Sequence, residues 1–139
     1  MIINQIAVFL ENRTGRLSEM CKILAENNIN MAAISVADAD DYGVVRLLTY
    51  DNELAQEVLE KAGFIVSNND LLGLRVDDKP GGLAKILKIF EEGNIFISYL
   101  YTLGIKADKA IILVKVDKLE KALEILKEKK VETIDNTFL

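Results

Sequence analysis

Two tandem copies of one α+β unit, each running strand, helix, strand, strand, helix, strand, are what this sequence predicts. Three observations carry that prediction. Short apolar runs of strand character alternate with stretches whose apolar residues fall at helical spacing. The order of these stretches occurs twice. A shift of 66 places also lays Gly15 on Gly81, Leu17 on Leu83, Lys22 on Lys88, Ile23 on Ile89, Glu26 on Glu92, Asn28 on Asn94, Ile29 on Ile95, Leu47 on Leu113 and Asp51 on Asp117.

In order, Ile2 to Leu10 reads as a buried strand. Leu17, Met20, Cys21, Ile23 and Leu24 make a helical stripe that Asn27 and Asn28 stop. Ile29 to Val36 and Val44 to Tyr50 read as a hairpin around the turn cluster Asp38 to Gly43. Asp51 or Asn52 caps a helix striped by Leu54, Ala55, Val58, Leu59 and Ala62, which Gly63 ends before a strand begins at Phe64 to Val66. After Ser67 to Asp70, which separates the fourth strand from the next, the whole order repeats. The second copy reads Leu71 to Val76 as strand, Leu83 to Phe90 as helix, and Ile95 to Leu103 and Ala110 to Val116 as strands. It finishes with a helix striped by Leu119, Ala122, Leu123 and Leu126, and a closing strand from Val131 to Phe138. Residues 1–68 and 69–139 are the two expected domains.

Strand–helix–strand crossovers are right-handed, so each copy is expected to form a four-stranded antiparallel sheet with two helices on one face, the ferredoxin-like plan. A bare second face would demand alternation of apolar and polar residues along the strands. Ala110 to Val114 and Met31 to Ile34 do not alternate. Burial by the other repeat or by another subunit is therefore expected, with a homo-oligomer, a dimer first, as the consequence.

The formal net charge of −5 argues against a nucleic-acid or anionic-membrane partner, which needs a basic face. That acidity lies in the first half: residues 1–69 carry five basic and ten acidic side chains, residues 70–139 twelve of each. The one cysteine, Cys21, excludes a disulfide framework and reads as a small hydrophobe in the helix stripe. There is no basic leader before the first strand and no apolar run of membrane-spanning length, so a cytoplasmic location is expected; the absence of histidine removes the commonest general base and metal ligand.

The stretch around which each copy is organised is the turn between its first strand and first helix. Asp77-Asp78-Lys79-Pro80-Gly81-Gly82-Leu83 is the fuller copy, and Glu11-Asn12-Arg13-Thr14-Gly15-Arg16-Leu17 the worn one. A glycine at such a turn frees the backbone, and the first amides of the helix point outward without partners. The turn can hold a small anionic group, or be no more than a capped helix start with Asn12 and Asp78 as the caps.

The Asp78-Lys79-Pro80-Gly81-Gly82-Leu83 motif, with Gly93-Asn94-Ile95 about a dozen residues later, resembles the ACT domain family, and in particular small stand-alone proteins of two ACT domains. The resemblance covers the whole chain. The first copy departs from the pattern in carrying Asn12 for the acid and Thr14 for the proline. The resemblance implies a non-catalytic regulatory module that binds a free amino acid or similar small effector at interfaces between ACT domains, with an enzyme of amino-acid metabolism as its possible target and no cofactor. Its ligand contacts would come from Asn12, Arg13, Thr14, Gly15, Arg16 and Leu17 in the first loop, and from Asp78, Lys79, Pro80, Gly81, Gly82 and Leu83 in the second. Asn28, Ile29, Asn94 and Ile95 would be the neighbouring contacts. The second loop, which keeps the motif, is the favoured one.

Each candidate also has a plainer reading. Arg13 and Arg16 either fork a carboxylate or lie solvated beside Glu11 and Glu19. Asp38, Asp40 and Asp41 have oxygen-ligand character, but lack the spacing of a calcium loop and read as a hairpin tip. Tyr99 and Tyr101 share one strand face and line either a pocket or a core edge. An enzyme on this fold would need a paired acid and base, an activated nucleophile or a metal set, and the sequence has none of these. An RNA-binding sheet would need central aromatics and basic charge, where the central strands read Met31 to Val36 and Val44 to Leu48. A structural module without a ligand is the remaining alternative.

Overall fold

The computed structural model describes residues 1–38 and 41–139. Contacts divide them into an N-terminal unit, Asn4–Asn69 with Leu139, and a C-terminal unit, Met1–Ile3 with Asp70–Phe138. In the N-terminal unit the elements are β1 (Ile2–Glu11) from Asn4 on, α1 (Arg16–Glu26), β2 (Met31–Asp38), β3 (Tyr42–Thr49), α2 (Asn52–Lys61) and the first part of β4 (Ile65–Asp77). The strand order is β2, β3, β1, β4, with β3 antiparallel to both its neighbours. The C-terminal unit has the rest of β4, α3 (Gly82–Glu92), β5 (Ile97–Lys106), β6 (Lys109–Val116), α4 (Leu119–Glu128) and β7 (Thr133–Ile134). Its order is β5, β6, β4, β7, with every pair antiparallel.

Each unit closes its own core by the alternation of its strands. Ile6, Val8 and Leu10 of β1 and Val45 and Leu47 of β3 meet Met20 and Leu24 of α1 and Ala55 and Leu59 of α2. Leu72, Leu74 and Val76 of β4 and Ile112, Val114 and Val116 of β6 meet Ile86 and Phe90 of α3 and Ala122 and Leu126 of α4. The run Ile111 to Val114 is buried on both faces as expected, at most 3% exposed, whereas β2 leaves Ile34 44% and Val36 56% exposed.

Several expectations need correction. The polar stretch Ser67 to Asp70 does not separate two strands, because β4 runs unbroken through it from Ile65 to Asp77. The closing strand shrinks to Thr133–Ile134, followed by a short 3-10 turn at Asn136–Phe138 that the Asp135 carboxylate holds by accepting from the amide and hydroxyl of Thr137. Leu17, Leu54 and Ala62 do not face the core, since α1 and α2 bury narrower stripes of Met20, Leu24, Ala55 and Leu59. Asp51, not Asn52, caps α2 by accepting from the Leu54 amide at 3.0 Å. Of the acidic hairpin tip, Asp40 lies outside the described residues and Asp41 is exposed.

The internal repeat also changes register. From β1 through the start of β2 the offset of 66 holds, and α1 maps onto α3 end for end. From β3 through α2 the elements of the first unit recur 67 places later: Tyr42–Thr49 becomes Lys109–Val116, and Asn52–Lys61 becomes Leu119–Glu128. The extra residue is absorbed where β5 slips register between Thr102 and Gly104 or in the β5–β6 turn. Leu47 therefore corresponds to Val114, not Leu113, and the cap Asp51 to Lys118, not Asp117.

Candidate functional site

The two glycine turns are built identically. Arg13 N–H donates to Glu11 O at 2.8 Å and Lys79 N–H to Asp77 O at 2.9 Å. Glu19 N–H and Lys85 N–H close the first helical turns on Gly15 and Gly81, at 2.9 and 3.2 Å. Gly15 and Gly81 are the N-cap residues, at φ 94° and 85° in the left-handed region, and neither helix start has a side-chain cap. A Cβ at either glycine would meet nothing within 4 Å, so torsion alone demands glycine there. Asn12 and Asp78 are thus not the caps; their places lie three residues earlier in the turn. At the other end of each helix Asn28 and Asn94 adopt φ 55° and 53°, letting Ile29 and Ile95 donate back to Leu24 O and Phe90 O at 2.9 Å. The eleven residues of α1 put Asn28 roughly 16 Å along the helix from Gly15. Ile29 and Ile95 are core residues.

Beyond that shared backbone the two sites differ. In the N-terminal unit Asn12, Arg13, Thr14, Arg16 and Leu17 line one cleft of about 400 Å³, together with Val36, Ala37 and Gly43 from the ends of β2 and β3. Arg13 is the solvated arginine of the pair, 58% exposed and 3.3 Å from Glu11. Arg16 is not. It is 9% exposed, its Nη1 donates to Glu19 at 3.0 Å, and its guanidinium lies 4.0 Å above the Phe64 ring. Its Nε is buried without a hydrogen-bond partner among the described residues. Arg16 also lines a second cleft, of about 440 Å³, with Phe9, Leu10, Glu11, Tyr42, Gly63 and Ile65. The hairpin and β4 contribute these residues from outside the motif, and only tertiary pairing shows them.

In the C-terminal unit the loop is tied down instead. Asp77 accepts from Lys109 Nζ at 2.6 Å, and Lys109 also pairs with Glu132 at 3.4 Å. Asp78 N–H donates to Asp108 O at 3.1 Å, and Gly82 N–H to Lys79 O at 3.0 Å, where the N-terminal unit has the longer Arg16 N–H to Arg13 O at 3.5 Å. Asp78, Lys79 and Pro80 are exposed, while Gly82 is buried under the end of β4. Asn94 and Ile95 line a separate groove of about 530 Å³ at the far end of α3, where Lys118 Nζ donates to Asn94 O at 2.9 Å. Tyr99 and Tyr101 stack at 6.5 Å between centroids on β5.

The hydrogen bond and charge of Lys109 hold Asp77 below the ordinary carboxylate value of 3.8. The bond to Asp77, helped by that to Glu132, holds Lys109 above its ordinary 10.5. A depressed carboxylate contributes stability that is complete above its unfolded pKa and lost as pH falls through the folded one; a raised lysine contributes stability that is lost only as pH rises through its folded value. Lys109→Met is therefore expected to shallow the fall in urea midpoint between about pH 5 and about pH 3, modestly because the pair is part-exposed. An unchanged slope would show that the pair contributes nothing.

Among the described residues, no group of three or more histidine, cysteine, aspartate or glutamate side chains could hold a metal ion, and no helix is long and apolar enough to cross a membrane.

The chain matches the family described as the ACT domain pair over residues 1–139. A crystal structure of a protein from Bacteroides thetaiotaomicron is similar at 34% identity and TM-score 0.89, covering 96% of this chain and 92% of that one. The regulatory subunit of aspartate kinase from Thermus thermophilus, in ligand-free form, shares the fold at 16% identity and TM-score 0.61, over 90% and 91% of the two chains. That from Thermus flavus does so at 15% and 0.61, over 92% and 94%. No curated protein sequence matches significantly.

Proposed function

This chain belongs to the ACT domain family, and on that premise we propose that it is a non-catalytic regulatory module that binds a free amino acid or a similar small effector. Residues 1–68 and 69–139 are its two ACT domains, and it works in the cytoplasm as a homo-oligomer, a dimer first, to control an enzyme of amino-acid metabolism. The observation that carries the reading is the N-terminal loop. There an uncapped helix start set by Gly15 opens on a cleft that also holds the fixed charge of Arg16. Outward amides and a guanidinium both suit a carboxylate. That the Thermus proteins of this fold are regulatory subunits agrees with it. Asn12, Thr14 and Leu17 are its nearest contacts. In the second loop, which keeps the motif, Lys109 pairs with Asp77 just ahead of the exposed motif acid Asp78.

Thermal-shift measurement against each of the twenty amino acids at millimolar concentration tests the reading. A ligand at about 100 times its Kd stabilises by about 2.7 kcal/mol, a rise of several degrees in Tm. Silence from every amino acid would overturn it.

A further inference from the structure

We propose that the apolar cleft beside Arg16 in the N-terminal unit binds a small carboxylate carrying a branched or aromatic apolar body, with the carboxylate on the Arg16 guanidinium. The proposal rests on the effector-binding reading above and adds the chemistry of the ligand and a place for it outside the glycine loop.

Arg16 is buried at the edge of this cleft. Its Nη1 is committed to Glu19, while its buried Nε has no acceptor among the described residues. A buried cationic donor left unmatched is costly, and a planar guanidinium is matched best by a carboxylate.

Phe9, Leu10, Tyr42 and Ile65 make the cleft mainly apolar around that one cation, in a volume that suits a small ligand. Tyr42 and Ile65 are left 47% and 69% exposed. An apolar body seated on them would remove that surface from water.

The two units differ at this place. Glu11, Arg16, Tyr42 and Ile65 correspond to Asp77, Gly82, Lys109 and Glu132. At the equivalent place the C-terminal unit has Gly82 for Arg16 and Arg75 for the wall residue Phe9, with the Arg75 guanidinium 5.4 Å over the Phe138 ring and Lys109 set between Asp77 and Glu132. The same backbone carries a part-exposed ion cluster in one unit and an apolar cleft with a buried charge in the other.

Glu11 also lines the cleft, and its carboxylate lies 3.3 Å from Arg13. It could take the ammonium of an amino acid, so the ligand is either an apolar amino acid or a simple apolar acid. Calorimetry on the full chain separates the two sources with phenylalanine and leucine on one arm, and 3-phenylpropanoate and 4-methylpentanoate on the other. Serine, aspartate and phenethylamine are the controls.

Binding by either arm, with the controls about tenfold weaker or more, is expected. Arg16→Gln and, because its side chain is already exposed, Ile65→Asp are each expected to weaken it by about tenfold or more, and the Ile65 variant keeps its melting temperature. If Arg16→Gln does not fold, the Ile65 variant carries the test. Phenethylamine binding as tightly as the acids, or Ile65→Asp binding like wild type, would overturn the proposal. Stabilisation by serine or another polar amino acid alone would overturn it and leave the regulatory reading standing. Silence from all amino acids and acids would overturn both.

Discussion

Phe90→Ala is expected to cost about 3–5 kcal/mol, a large share of the roughly 5–15 kcal/mol that holds a domain together. Phe90 is 1% exposed and sits between α3 and the sheet, in the cluster with Leu72, Leu74, Ile86 and Leu126. Truncation removes the ring and leaves a cavity that neighbours on regular elements can close only in part. Leu24, its counterpart in the N-terminal unit, is also 1% exposed and belongs to the separate cluster of Ile6, Val8 and Met20. Leu24→Ala should cost about 2–5 kcal/mol there. Urea unfolding followed by circular dichroism measures both. A loss below about 1 kcal/mol for Phe90→Ala would mean that α3 does not pack on the sheet through this face.

Gly82→Ala is the second large effect expected, about 2–3 kcal/mol. A Cβ on Gly82 would lie 2.0 Å from the backbone oxygen of Asp77, a contact that no rotamer can relieve. The N-terminal unit shows the escape route. Arg16 carries a Cβ at that position, and its amide lies 3.5 Å from Arg13 O, against 3.0 Å for Gly82 and Lys79 O. The substitution should loosen the turn in the same sense and weaken the Asp77–Lys109 pair beside it. Gly81→Ala, next door, meets open space and suffers only from its φ of 85°, which costs roughly 1–2 kcal/mol. The expected order is Gly82→Ala worse than Gly81→Ala, again by urea unfolding. The reverse order would sink the close-approach argument.

Much of the fold was legible because its signals are local. The stripes that end in Leu24 and Phe90, the stop at Asn28 and Asn94, and the glycines at 15 and 81 each follow from side-chain period or backbone torsion. The misreadings have physical causes of their own. Ser67 to Asp70 looks like a loop by composition, but a strand paired along its backbone tolerates polar side chains. Val131 to Phe138 looks like a strand by composition, yet the Asp135–Thr137 hydrogen bonds turn the chain. The match of Asp51 with Asp117 was a coincidence of residue type across a one-residue insertion. In the structure Asp117 accepts from the Phe96 amide at 2.9 Å, and Lys118 stands at the cap.

The candidate site was legible only in its backbone. The motif located both glycine turns, and the fuller motif pointed to the second as the better site. The motif could not show that Arg16 goes inward onto Phe64 while Arg13 stays in water, because that depends on a ring 48 positions away in sequence. Nor could it show that Tyr42 and Ile65 meet at Arg16 in one unit while Lys109 and Glu132 meet at Asp77 in the other.

By itself the sequence determined two βαββαβ units, their glycine turns and their apolar faces, since these rest on periodicity and torsion within a few residues. Only the tertiary structure decided that the first turn opens on a cleft shared with Arg16 and that the second stands beside the Asp77–Lys109 pair. Strand pairing brings distant side chains to one point, and a one-residue slip in register changes which of them arrive.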